Sequence, residues 1–549
     1  MRLRDYQTSC LDRSLERYQA GVNRQLAVLA TGLGKAILFA TLRSHHQFEK
    51  KIMVLVHREE LAIQAADKIQ RWNPGLMIGT EMADRKAKAF DTFVVGSVPT
   101  LGRRASSRLE QFDPEQFDCI VSDEAHHVSS PQWTRVLAHF GLNKPGGSIL
   151  SFGLTATPNR SDGKGLRDLF DEIVFDMGID TGIRQGYLVD LRCWKISTKT
   201  SLDEVHTTAG DFKQDELADA VNTPERNGMV VKAWAKHAWD KKSIVFTVDI
   251  QHALDLAAAF KAFSVAAEAV WGDDPDRADK LRRHREGELT VLVNCQVLTE
   301  GYDDAGVECI VLAKPTKSVL LLTQMIGRGT RLPTNCNHIS EVGDTGKKTC
   351  CILDVVDTTT RHNLCTVPSL LGLPKQIDLK GETYRVAKDK VDRVAAEFPT
   401  ASLSDIRSLD KLEHLSEQVE LFKVKFPPEV EKLTELAWQK QGDGYVLPIM
   451  REKLTLSCDL RGEWWVRGSL NGNPIEIHSQ NLSGGFNAAD REVLRRGELR
   501  RLLSREANWR NQEPTSGQIG LCRKLGLVIP NGATRGMVSA AIDSKLRSR

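Results

Sequence analysis

Ala30-Thr31-Gly32-Leu33-Gly34-Lys35-Ala36 is the stretch whose reading decides the fold. An apolar run at residues 26–29 precedes it and a helical run follows, so its glycines and lysine fall between a strand and a helix. Glycines let backbone N–H groups close round a phosphate, and the helix N-terminus adds favourable partial charge. Lys35 adds a full positive charge. Thr31, Gly32, Leu33, Gly34, Lys35 and Ala36 are therefore the expected cradle for a nucleotide's phosphates. Position 36 departs from the pattern. A Ser or Thr hydroxyl there would coordinate magnesium directly, and a methyl cannot. Either water fills that place with weaker affinity, or turnover is reduced.

Working outward, Ser122-Asp123-Glu124-Ala125-His126 closes another apolar run, residues 119–121. A carboxylate at the C-terminal end of a buried strand can hold hydrated magnesium, and the next acid can orient an attacking water. Asp123 is the expected magnesium ligand and Glu124 the water-directing acid, with His126 beside them. Far along the chain, Gln324-Met325-Ile326-Gly327-Arg328-Gly329-Thr330-Arg331 carries two arginines three apart. On a helix they would share a face. Arginines reaching across a cleft neutralise charge on a γ-phosphate only when two domains close.

The intervening pattern supports two α/β units in tandem. Short apolar runs at 26–29, 52–56, 93–96, 119–121 and 149–152 alternate with helical stretches, as in a parallel sheet covered on both faces. A second series follows at 244–246, 265–270, 291–293, 309–312 and 351–353, with a helix at 251–263. The expected division is residues 1–180 and 181–368 for the two α/β domains, joined through a less regular stretch near 178–230. Residues 369–445 read as a charged helical linker. Residues 446–549 read as a small meander (454–456, 464–466, 475–477) followed by a helical module with Thr534 capping its last helix.

In this order, the motifs make the chain resemble a superfamily 2 helicase or nucleic-acid translocase with an Asp-Glu-Ala-His box, most of all the RadD-like branch, bacterial proteins of DNA repair and phage DNA metabolism. The likeness covers roughly residues 1–360 and implies that the two α/β domains are tandem RecA-like domains with parallel sheets, followed by a C-terminal α+β accessory region. It implies ATP and magnesium as cofactors and catalytic roles for Lys35, Asp123, Glu124, His126, Gln324, Arg328 and Arg331. Leu3-Arg4-Asp5-Tyr6-Gln7 resembles the adenine-reading motif, which assigns Arg4 and Gln7 to the nucleotide. Thr299-Glu300-Gly301-Tyr302-Asp303 resembles a motif touching nucleic acid and the ribose, which adds Gly301 and Asp303. His57, Arg58, Ser97, Thr100, Thr157, Thr247 and Thr299 fall in the motifs that track a strand. Small hydroxyls after strands suit sequence-independent phosphate contacts. DNA, single-stranded or branched, is the expected partner, with an RNA-acting ATPase and an ATP-binding scaffold silenced at Ala36 as alternatives. The zinc-binding cysteines found toward the C-terminus of the RadD-like branch are absent.

Composition bounds the rest. At 549 residues, with 41% hydrophobic and 27% charged, the chain has the make-up of a multidomain globular protein. Its net charge of +3 says little about partners. Residues 491–510 are locally basic, with seven arginines against three glutamates, open to reading as a solvated helix face or a nucleic-acid contact. Eleven scattered cysteines without a Cys-x-x-Cys pair point to a reducing cytoplasm. Cys336, His338, Cys350 and Cys351 match no zinc-ligand spacing. No secretory or membrane segment is expected. Trp464 and Trp465 alternate along a strand, so one should enter the core and the other face outward. The terminal module from Gln518 suits either nucleic acid or a protein partner.

Overall fold

The computed structural model describes residues 3–547, apart from 105, 129, 158–165, 209, 300, 398–407, 409–431, 442–443, 450–451, 460–461, 496–502 and 505–506. It divides into two compact units, residues 1–388 and 389–549.

The first unit holds two parallel sheets. In the first lobe, strands β1 (Arg24–Leu29), β2 (Lys51–Val56), β3 (Ile78–Glu81), β4 (Phe93–Ser97), β5 (Phe117–Asp123), β6 (Leu150–Thr155) and β7 (Glu172–Met177) lie in the order β3-β4-β2-β5-β6-β1-β7. Every residue of β1, β4 and β6 is buried. That is why these strands read as continuous apolar runs and not as alternating ones. Helices α1 (Asp5–Gln19), α2 (Lys35–His46) and α3 (Glu59–Trp72) connect and cover them. Leu26, Met53, Leu55, Val94 and Ile120 share one core with Trp133 and Phe140. All five expected strands form. β3 and β7 have no counterpart among the expectations: both are edge strands, partly exposed, and lack the unbroken apolar run of the centre.

The second lobe begins earlier than its apolar runs suggest. Residues 178–230, expected to be less regular, contain the twelve-residue strand β8 (Asp190–Ser201) and the hairpin β9 (Thr207–Thr208) and β10 (Asp211–Phe212). They also contain helix Gln214–Val221 and the start of helix Pro224–His237. β8 alternates charged and apolar residues because it is an edge strand, which hid it from a search for buried runs. It joins β11 (Ser243–Phe246), β12 (Ala267–Val270), β13 (Val291–Asn294), β14 (Cys309–Leu312) and β15 (Thr349–Thr358) in the order β12-β13-β11-β14-β15-β8.

A buried ion pair fastens this lobe. Arg226 and Asp357, 1% and 0% exposed at their side chains, meet at 2.8 Å. The guanidinium also donates to the Ala313 carbonyl, and Thr198 donates to the Asp357 carboxylate. The helix, the end of β14, strand β15 and edge strand β8 are thus tied at one point. Asp357→Ala would leave the guanidinium buried without its counter-charge. It is expected to cost about 3–5 kcal/mol of second-lobe stability, read as a lowered denaturant midpoint.

The second unit is an antiparallel sheet with helices. Strands β16 (Gln439–Gln441), β17 (Gly444–Ile449), β18 (Glu452–Cys458), β19 (Trp464–Leu470) and β20 (Asn473–Ser479) run as a meander. The expected three strands are the last three of five. The boundary expected at residue 445 falls inside β17; of the expected helical linker at 369–445, helix Tyr384–Glu397 and β16 are described, and residues 398–407 and 409–431 lie outside the described residues. Asn471 and Gly472 both take positive φ, the two-residue turn that suits a right-twisted hairpin. Helix Leu482–Leu494 closes one face over Trp438, Leu454, Leu456 and Val466. Helices Ser516–Leu525 and Arg535–Arg547 form the terminal module. Thr515 caps the first through a capping box, and Thr534 accepts from the Met537 N–H at 3.4 Å in the second.

Candidate functional site

The loop after β1 turns into α2 through Gly32 and Gly34, with φ of +96° and +74°. A side chain at Gly34 would be strained by that conformation, and its Cβ would come within 2.9 Å of Gln7 Nε2. Lys35 is the first residue of α2. Helix α1 braces the loop from behind: Tyr6 Oη and Gln7 Nε2 donate to the Leu33 carbonyl at 2.5 and 3.3 Å. Gln7 is only 1% exposed, and its side-chain oxygen accepts from the Arg4 N–H. Arg4 donates to the Cys336 carbonyl. Neither Arg4 nor Gln7 lines the cleft; both stand behind the loop.

In front of the loop lies a cleft between the two lobes. Asp123, the last residue of β5, and Glu124, at φ +50°, project into it. Burial and the adjacent Glu124 carboxylate push Asp123 up to about 6, against the opposing pull of Lys35. Lys35 Nζ meets Glu124 Oε1 at 2.8 Å. From the other Glu124 oxygen the chain of contacts continues to His126 Nδ1 at 3.4 Å and on to Thr155 Oγ1 at 3.4 Å. Thr155 Oγ1 in turn donates to the Thr157 carbonyl at 3.0 Å. A path of polar contacts thus links the phosphate loop to the end of β6.

The second lobe supplies the opposite wall. Helix Val319–Gly327, capped by Ser318, ends before both arginines. The expectation of two arginines on one helical face is corrected here: Arg328 caps the helix and Arg331 lies in the irregular segment beyond it. The Gly329 and Thr330 backbone turns instead of continuing the helix, yet both guanidinium groups reach the cleft. Arg328 donates to the carbonyls of Tyr302 and Thr299, each at 2.6 Å. Arg331 forms an ion pair with Asp303, and burial holds it down at about 10. Gly327 permits this closeness, because a Cβ there would lie 2.4 Å from Thr31 Cβ. Thr330 Oγ1 also faces the Thr31 carbonyl at 3.5 Å. Thr31, Gly32, Gly34, Lys35, Ala36, Gly301 and Asp303 all line the cleft. Leu33 is fully buried, and Gln324, 5% exposed, lies outside the lining.

Two lining residues, Gln64 and Lys68 of α3, went unforeseen. Gln64 Nε2 donates to the Gly301 carbonyl at 2.7 Å, and Lys68 Nζ lies 3.4 Å from Asp303. Enclosure in the cleft and the neighbouring Arg331 lower Lys68 to about 8. The signal was present: Leu61, Gln64 and Lys68 share the stripe of α3 that also carries buried Ala65, so two polar residues face inward.

The expected strand-tracking residues gather at the C-terminal ends of parallel strands, where open α/β sheets bind ligands. His57 follows β2, Ser97 ends β4, Thr157 lies just past β6, Thr247 follows β11 and Thr299 lies past β13. Their hydroxyls are less available than expected. Ser97, Thr157 and Thr247 are 2%, 7% and 2% exposed, and Thr247 donates to the Asn294 carbonyl at 3.0 Å. Arg58, Thr100 and Thr299 are partly open. His57 packs on the His127 ring at 4.4 Å. Glu300, in the quoted motif at 299–303, and Pro158, next to Thr157, lie outside the described residues.

Of the basic run at 491–510, Arg496, Arg500, Arg501 and Arg505 lie outside the described residues. Arg495 pairs with Glu492, and Arg510 lies over the Trp509 ring. Trp464 packs against the meander core, whereas Trp465 points the other way, donating to Asp459 beside His478 and Arg467. His338 meets the Gln185 carbonyl, and Cys350 and Cys351 are buried in β15. No helix among the described residues is long and apolar enough to cross a membrane.

Two parallel-sheet lobes facing each other across a phosphate loop and paired arginines define a two-domain, RecA-like protein of the helicase class. Residues 1–160 match the family described as type III restriction enzyme, res subunit, and residues 226–333 match the helicase conserved C-terminal domain. All of the chain aligns, at 31% identity, with 90% of the mitochondrial ATP-dependent helicase irc3 of Schizosaccharomyces pombe. At 32% identity, 68% of it aligns with 54% of the ATP-dependent helicase IRC3 of Saccharomyces cerevisiae. A fragment structure of a type I restriction enzyme HsdR subunit from Vibrio vulnificus shares the fold, with TM-score 0.50, 22% identity and 69% of each chain covered. The chain belongs to the superfamily 2 helicase family.

Proposed function

We propose that this protein is an ATP-dependent DNA helicase or translocase that couples hydrolysis in the inter-lobe cleft to movement on DNA. One observation carries the reading: Lys35, Asp123 and Glu124 from one lobe face Arg328, Arg331 and Asp303 from the other across a single cleft. Lys35 takes the β- and γ-phosphates, exchanging Glu124 for phosphate oxygens. Glu124, once released, orients water toward the γ-phosphate, with His126 relaying its position toward Thr155 and Thr157. Arg328 and Arg331 neutralise the charge that develops on the γ-phosphate. Gln324 supports the arginine segment from inside the lobe. Gly301 and Asp303 face the nucleotide across the cleft, while Arg4 and Gln7 hold the loop that carries it.

A divalent cation fits the donor set. Asp123 is a buried carboxylate whose ionised form lacks full compensation, the situation a metal relieves. Asp123 would hold magnesium, which supplies charge neutralisation on the phosphates; Ala36 offers no oxygen to it. The Asp-Glu-Ala-His sequence at 123–126 supports membership of the box-defined group, and placement in the RadD-like branch rests on motif order. DNA is favoured over RNA by the restriction-enzyme family that residues 1–160 match. His57, Arg58, Ser97, Thr100, Thr157, Thr247 and Thr299 line the ends of strands where a nucleic-acid backbone would run, with the buried hydroxyls acting through the loops they hold. Eleven free cysteines suit a reducing compartment.

Turnover measured with and without single-stranded, forked and duplex DNA, and with matched RNA, tests this reading; stimulation by DNA is expected. Ala36 favours one second reading, an ATP-binding scaffold with little hydrolysis. Ala36→Thr is expected to tighten magnesium dependence and raise turnover by about tenfold. Absence of turnover in both proteins would defeat the motor.

A further inference from the structure

Outside the quoted motifs, two loops of the first lobe are pinned side by side with their cations pointing outward. The first, residues 82–91, leaves edge strand β3; the second, residues 102–104 and 106–108, follows the short helix Val98–Leu101 that contains Thr100. Arg108 is the rivet. Its Nε pairs with Glu81, whose side chain is 0% exposed, and its two terminal nitrogens donate to the carbonyls of Ala83 and Arg85. Glu81 also accepts from the Ala87 N–H, and Asp91 accepts from the Lys88 N–H. The Ala83 N–H donates to Thr100 Oγ1, and Arg135 holds the Arg103 carbonyl.

The acids of this region are therefore occupied by backbone and by the rivet, not by the surface cations. Arg85, Lys86, Lys88, Arg103 and Arg104 are all exposed, and none forms an ion pair with a described residue. Asp84 is the one exposed acid in residues 82–91. Phe90 stands 60% exposed among them, beneath the Lys88 ammonium. A cationic run alone is commonly a solvated face. Here the pairing of Arg108 with buried Glu81 and its bonds to the Ala83 and Arg85 carbonyls hold the loop in one shape, with Ala83 at φ +42°. Glu81 is fully buried while Arg108 stays 21% exposed, so the pair costs desolvation at the carboxylate and fixes the loop that carries Arg85, Lys86 and Lys88, while the Arg135 bond to the Arg103 carbonyl fixes the second loop.

We infer that Arg85, Lys86, Lys88, Arg103 and Arg104 form an auxiliary grip on the phosphodiester backbone of DNA, extending the strand path outward from Thr100. The inference rests on the nucleic-acid reading above. Phosphate neutralisation releases counterions, so each lost contact flattens the salt dependence of binding by about 0.9 on duplex DNA and 0.7 on single strands. The full-length triple variant Arg85→Ala/Lys86→Ala/Lys88→Ala is expected to lower the slope of log affinity against log salt by about 2 to 3, with DNA-independent turnover unchanged. Arg103→Ala/Arg104→Ala is expected to lower it by about 1 to 2. Unchanged slopes in both variants, with wild-type protein binding DNA normally, would overturn the grip alone. A slope change on RNA but not on DNA would overturn its assignment to DNA. Failure of wild-type protein to bind either nucleic acid would overturn the functional reading beneath it.

Discussion

Arg331→Ala is expected to cut ATP turnover by about a thousandfold or more, with nucleotide still bound. The guanidinium enters the cleft from the lobe opposite the phosphate loop, held by Asp303 and by burial. An arginine placed so contributes only when charge moves onto the leaving and attacking oxygens, so its loss falls on kcat more than on ATP affinity. Lysine is a poor substitute, because a point charge on a flexible stem lacks the planar fork. Arg331→Lys should therefore recover little. Steady-state turnover together with a binding titration using a fluorescent ATP analogue separates the two effects. Equal losses in affinity and turnover would assign Arg331 to holding the lobes and not to chemistry.

Glu124→Gln is expected to lower turnover by about 10²- to 10⁴-fold while ATP binding is retained or tightened. Glu124 is the counter-charge of Lys35, at 2.8 Å. The amide would free the ammonium for phosphate and at the same time remove the group that orients and deprotonates water. The two consequences have opposite signs on binding and on chemistry. Single-turnover hydrolysis beside equilibrium binding distinguishes them, and a variant with wild-type turnover would remove Glu124 from the mechanism.

The cleft's chain-local parts were legible because each motif is set by its own strand, loop and helix. β1 with Gly32, Gly34 and Lys35, and β5 with Asp123 and Glu124, need only neighbouring residues to take shape. Gln64 and Lys68 were not legible in that way. Their place in the cleft depends on Gly301 and Asp303, more than two hundred residues away, approaching from the other lobe. Arg331 was read onto a helix that ends at Gly327, because three-residue spacing says nothing about where a helix stops. Edge strands β3, β7 and β8 were missed for a related reason: water on one side relaxes the apolar requirement that marks a central strand.

By itself the sequence determined the two parallel sheets, their order along the chain and the strand–loop–helix setting of Gly32, Gly34 and Lys35, since those follow from hydrophobic runs and local backbone freedom. Tertiary structure alone decided which hydroxyls stay open, which carboxylate opposes Lys35, and that Arg108 joins two loops through Glu81. Burial and long-range ion pairing are properties of surfaces brought together in space, and linear spacing carries no record of them.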